Sequence, residues 1–143
     1  MLTSSQKFEN IRRAFAESTK ALEAGFYFES IWYTYAILQE RLQSAAYKIC
    51  GRRFKEISES TTEILHAIDD GNARAKFTFT KDMIIQCAKW AKKRNEYVHG
   101  LVLQDKSVAS IQKDTYLIAK EGIELATQVA TNAKRLKKHM QKL

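Results

Sequence analysis

The run Arg94-Asn95-Glu96-Tyr97-Val98-His99 combines side chains suited to chemistry on a phosphate ester. A histidine titrates near neutrality and serves as proton donor or acceptor. An arginine brings a permanent charge and a fork of donors that matches phosphate oxygens. An asparagine can orient the imidazole or bind an ester oxygen. On a helix, Asn95 and His99 stand one turn apart on the same side. An apolar axis drawn through Ile84, Cys87, Ala88, Ala91 and Val98 places Asn95 close to it, with Arg94 and His99 about 70° to either side. The predicted inner face thus turns polar at its last turn. Buried polar groups need partners, so such a turn is either a satisfied structural network or a site. Arg and His near a helix C-terminus are also favoured by the helix dipole alone.

The elements that must hold this run are predicted to be helices. The 143 residues contain no Pro and five Gly; average usage would give about 5% Pro, and its absence leaves every helix free of its strongest breaker. Glycines at 25, 51, 71, 100 and 122 punctuate the chain. A first helix is predicted from about Ser5 to Ala24, its apolar face marked by Phe8, Ile11, Phe15 and Leu22. A second runs up to Gly51, with Phe28, Ile31, Tyr35, Leu38, Leu42, Ala45 and Ile49 spaced by threes and fours. Aromatics at 26, 27, 28, 32, 33 and 35 surround its first half, which predicts burial on more than one side. A third covers about Glu56 to Asp69. Lys76 to Thr80 alternates like a strand without a partner, so it is expected to be a packed connection. Thr80 caps a fourth helix, Lys81 to His99, with Gly100 just past its end. After a loop from Leu101 to about Ser107, a last helix reaches about Met140 with Ala119, Ile123, Ala126, Ala130 and Ala133 inward. The expected fold is an all-α, up-and-down bundle of four to five helices in a single domain, 1–143.

The charge narrows the partner. With 24 Lys+Arg against 16 Asp+Glu, the formal net charge is +8, which favours a polyanion, nucleic acid before a membrane surface. Arg41, Lys48, Arg52, Arg53 and Lys55 surround the end of the second helix. Lys89, Lys92, Lys93 and Arg94 line the fourth, and Lys134, Arg135, Lys137, Lys138 and Lys142 fill the C-terminal segment. Arg41, Arg52, Arg53, Lys92 and Lys93 are the candidate RNA-binding cations. No stretch approaches the ~18 apolar residues of a membrane span, and the first seven residues lack the apolar core of a secretory signal. Cys50 and Cys87 stand alone, as reduced thiols do, so the expected location is the cytoplasm.

A metal centre is the rival arrangement. Glu63-Ile64-Leu65-His66 and Glu96-Tyr97-Val98-His99 both have the Glu-x-x-His spacing of di-iron carboxylate bundles. Such a centre needs every ligand pointing inward. Glu63 and His66 fall opposite the Ile57/Ile64/Leu65/Ile68 face, and Glu96 lies about 130° from the fourth helix's axis. Neither a metal nor a cofactor is therefore expected.

Arg94 to His99 resembles the R-x(4–6)-H signature of HEPN domains (higher eukaryotes and prokaryotes nucleotide-binding), where a polar residue such as Asn often follows the Arg. Glu40-Arg41-Leu42, late in an aromatic-rich helix, resembles the corresponding HEPN helix. The resemblance extends over nearly the whole chain, but only the six-residue motif is specific. It implies a helical bundle that forms a homodimer, with two motifs in one composite cleft. It further implies a metal-independent endoribonuclease, often a toxin or phage-defence effector, with Arg94, Asn95 and His99 in the site, RNA as substrate and an antitoxin or regulatory protein as a further partner. HEPN toxins silenced by a partner nucleotidyltransferase often carry a Tyr two residues after the His. Here that position is Leu101, and the tyrosine is Tyr97, expected on the side away from the inner stripe. A non-catalytic RNA-, nucleotide- or protein-binding module and a purely structural scaffold are the other functions compatible with these residues.

Overall fold

Residues 1–100 and 107–142 are described by a computed structural model; the loop expected over 101–106 lies outside them. All their regular structure is helical: α1 Ser4–Glu23, α2 Tyr27–Cys50, α3 Ile57–Asp69, α4 Ala73–Thr78, α5 Lys81–Gly100 and α6 Val108–Gln141. The all-α expectation holds, and each long helix lies within about two residues of its predicted range. Among the described residues, no helix is long and apolar enough to cross a membrane.

The sixth helix is α4, which replaces the expected packed connection. Asn72 caps it by accepting a hydrogen bond from the Ala75 amide at 3.0 Å. The alternation over residues 76–80 reflects Phe79 and Thr78 buried beside an exposed Phe77, not a pleat. At the other end, Gly100 is itself the last residue of α5, Lys81–Gly100, rather than the position just past it. Thr80 does cap α5, accepting from the Met83 amide at 3.2 Å. The stop predicted at Gly51 is present. It takes φ +75°, and its amide donates to Tyr47 O at 2.8 Å, a left-handed cap that glycine adopts without steric cost.

The helix α2 is the spine, packed by α1, α3 and α6. Ser18 of α1 is wholly buried, and its hydroxyl meets Ser30 O and Ser30 Oγ at 3.0 Å each and Thr34 Oγ1 at 2.8 Å. These directional bonds fix the register of α1 on α2, which apolar packing alone leaves free to slide. Along α5, Tyr97 stacks on Phe28 and Trp90 lies beside Tyr35, so α2 and α5 are antiparallel. On α6, Tyr116 meets Tyr27 while Gly122 lies against Thr34, so α6 runs parallel to α2.

The inner seam of α6 is Thr115, Ile118, Ala119, Gly122, Leu125, Ala126, Val129, Ala133 and Leu136. Ala119, Ala126 and Ala133 face inward as expected, whereas Ile123 and Ala130 are only half-buried. A close approach to another helix is made at Gly122, where the Trp90 indole occupies the space a side chain would fill. Trp90 Nε1 donates to Ile118 O at 2.8 Å, which satisfies its buried polar atom.

Three titratable groups give direct tests of this packing. Burial pushes the Cys87 thiol up to about 12, and Cys50 is also raised, by burial first and Glu63 second. Because the thiolate is the reactive form, a colourless-to-coloured disulfide reagent at pH 8 will count at most one fast thiol, Cys50, in the folded chain and two after denaturation. Lys48 is lowered from its ordinary value of 10.5, by burial first and then by Arg41 and Lys137, against Glu40. Its charged form is therefore disfavoured in the folded chain. That cost is full below the lowered folded value and disappears as pH rises past 10.5. Lys48→Gln is expected to raise the Tm slightly at pH 7, with no gain above pH 11; an equal gain at both pH values would remove the charge from the explanation.

Candidate functional site

The C-terminal half of α5, the start of α3 and the middle of α2 enclose a cleft of about 680 Å³. Asn95, His99 and Lys92 line it from α5, Thr61 and Thr62 from α3, and Tyr35 from α2. The antiparallel course of α3 and α5 brings the N-terminus of one to the C-terminus of the other. The amide end of α3 thus supplies partial positive charge, beside the acidic side chains of Glu56 and Glu96. Glu96 lies 4.0 Å from Lys92, an exposed pair of small energetic weight.

Arg94 and Asn95 are joined directly. Arg94 Nη1 donates to Asn95 Oδ1 at 2.8 Å, and the guanidinium carbon sits 4.3 Å from the centre of the Tyr35 ring. A guanidinium over an aromatic ring is held there by cation–π attraction. Arg94 Nε is buried without a hydrogen-bond partner among the described residues. His99, one turn beyond Asn95, is exposed at the cleft's mouth. So the structure brings all three predicted residues to one end of α5, in unequal environments.

That inequality corrects the predicted orientation of α5. The buried arc runs through Ile84, Cys87, Trp90 and Ala91, and continues to the half-buried Arg94 and Tyr97, while Val98 is 42% exposed. It is therefore centred nearer Arg94 than Asn95. The physical reason lies in two amphipathic aromatics omitted from the apolar axis. Trp90 and Tyr97 both turn toward α6 and hydrogen-bond its groups. Tyr97 Oη donates to Ile111 O at 2.7 Å and lies 2.8 Å from Thr115 Oγ1. Tyr97 is thus a packed residue, not one on the side away from the core. Turning α5 this way puts Arg94 into the seam with α2 and swings His99 out to solvent.

The candidate RNA-binding cations do not gather at the cleft. Lys92 lines it, but Lys93 turns toward α6, 3.6 Å from Glu121. Arg41 is held by its neighbour Glu40 and belongs to the positive group with Lys48 and Lys137. Arg52 and Arg53 lie over the rings of Phe54 and Tyr47, and Arg53 borders the N-terminal end of α1. Sequence reasoning missed Tyr35, Thr61 and Thr62 as cleft residues. Their signal was weak, because each fits an ordinary helix face. Among the described residues, no group of three or more His, Cys, Asp or Glu is placed to hold a metal ion. No family model matches the chain, and no curated protein or solved structure matches it.

Proposed function

We propose that the chain is a metal-independent endoribonuclease of HEPN type, acting as a homodimer in which two copies of the Arg94–His99 turn share a composite cleft. The observation that carries this is the exposed His99 imidazole one turn from Asn95 in an open cleft, with Arg94, which does not itself line the cleft, hydrogen-bonded to Asn95. In such a reaction the ribose 2′-oxygen attacks the adjacent phosphorus, and the bond from phosphorus to the 5′-oxygen breaks. A base takes the 2′-hydroxyl proton and an acid protonates the departing 5′-oxygen. One chain offers one His99; its symmetric copy supplies the second, so one imidazole serves as base and the other as acid. Arg94, positioned by Tyr35 and Asn95, neutralises the charge that builds on the phosphorane oxygens. A toxin or phage-defence role, with an antitoxin or regulatory protein as partner, is consistent with this chemistry.

The test is incubation of the purified dimer with single-stranded RNA in EDTA. Products ending in 2′,3′-cyclic phosphate and 5′-hydroxyl are expected; strict dependence on a divalent ion would overturn the assignment. A non-catalytic nucleic-acid- or protein-binding module is the second reading, favoured by Arg94's commitment to Tyr35 and Asn95 within one chain. It predicts salt-sensitive RNA binding without cleavage.

A further inference from the structure

The first half of α2 departs from expectation in a way that packing does not account for. Instead of being buried on several sides, Trp32 is 63% exposed and Phe28 43%. Phe28, Trp32 and Tyr35 recur at four and three residues, so they form one stripe along α2. Its ends are both tied to the site helix: Phe28 stacks on Tyr97, and Tyr35 lies under the Arg94 guanidinium. Trp32, between them, has only Tyr33 of its own helix as a ring partner among the described residues. The cause is the placement of α3. Gln39 and Gln43 both donate to Lys55 O at 2.8 Å, which anchors the start of α3 beside the middle of α2. The helix then follows α2 toward its C-terminus and leaves Trp32 bare.

We propose that this stripe is a base-stacking platform for single-stranded RNA, with Trp32 as its main stacking surface, holding an unpaired base next to the phosphate that Arg94 and His99 engage. The proposal deepens the reading of the cleft as an RNA site and rests on it. Aromatic faces bind any unpaired base, since every base has a π-face. The charge around the stripe favours nucleic acid over a protein partner: the stripe abuts Arg94, Lys92 is on the adjacent wall, and the chain carries +8 overall. The acids nearby are Glu29, Glu56 and Glu96, of which Glu96 faces Lys92. A duplex hides its base faces, so the platform selects unpaired RNA.

The chain has two tryptophans, and Trp90 is 1% exposed, so a ligand stacking on the surface quenches Trp32 alone. The experiment titrates His99→Ala protein, which keeps RNA intact, with a single-stranded oligoribonucleotide and with a duplex of the same length. Quenching by the single strand only is expected. Trp32→Ala should weaken single-strand binding about 10-fold, and Trp32→Phe should retain most of it. Unchanged affinity in Trp32→Ala would overturn the platform. So would a Trp32→Ala protein that becomes monomeric by light scattering, which makes the stripe a contact between copies. Binding with quenching but no cleavage by the parent protein keeps the platform and removes the ribonuclease; cleavage indifferent to Trp32→Ala does the reverse. Absence of binding to either RNA overturns both.

Discussion

His99→Ala is expected to slow RNA cleavage by about 100- to 10 000-fold, the range for removing a general acid or base. The same substitution should leave the Tm nearly unchanged. His99 is exposed at the end of α5, and surface changes of this kind fall within about 0.5 kcal/mol. That separation makes the measurement decisive: rates in EDTA and thermal melts on one preparation. A His99→Ala protein that cleaves as fast as the parent removes His99 from the chemistry. Arg94 behaves differently. It stacks on Tyr35 and holds Asn95, so Arg94→Ala should lose activity and stability together. Arg94→Lys retains the charge without the planar fork, and should recover only part of either.

The largest effect on stability is expected at the contact between α5 and α6. Trp90→Ala removes a fully buried indole and its hydrogen bond to Ile118 O. Large aromatic-to-alanine changes in cores cost about 3–5 kcal/mol. Gly122→Ala attacks the same contact from the other side. An added Cβ would lie 2.8 Å from Trp90 Cε2 and 3.0 Å from Thr34 Cγ2, and closer still to Trp90 Cζ2. The indole is rigid and walled in, so the helices must separate, at about 1–3 kcal/mol. The two sites are therefore coupled. In a Trp90→Phe background the indole atoms that meet the new methyl are gone, and Gly122→Ala should cost less there than in the parent. Denaturant melts of the four proteins give the coupling directly. Strict additivity would show that Gly122 is not set by Trp90.

Much of the bundle was legible in one chain's pattern. The missing prolines, Gly51 and the three-four spacing of α2 state local rules that tertiary packing did not override. The capping by Thr80 was visible for the same reason. What escaped prediction depended on partners. The six residues of α4 carry too little periodicity to be told from a connection. The rotation of α5 escaped because Trp90 and Tyr97 have both apolar bodies and polar tips, so type alone does not assign them to a face. Only α6, with Ile118 O and Ile111 O offered at the right heights, decides it. Gly122 gave the least local warning, since its role is defined by an indole 32 residues earlier in the chain. The candidate triad was found by type and spacing. Its unequal exposure, with Arg94 inward and His99 outward, followed from the rotation.

The short link before α3 also has an evolutionary consequence. Residues 51–56 return the chain from the left-handed turn at Gly51 to the point where Gln39 and Gln43 grip Lys55 O. That grip acts as an adjustable stop for α3. Moving it one helical turn toward the α2 N-terminus would roof Trp32, and moving it one turn away would bare Tyr35. An insertion or deletion there would therefore resize the proposed ligand footprint without replacing any residue at the end of α5. Specificity in such a bundle can drift through loop length alone, independently of the residues proposed to react.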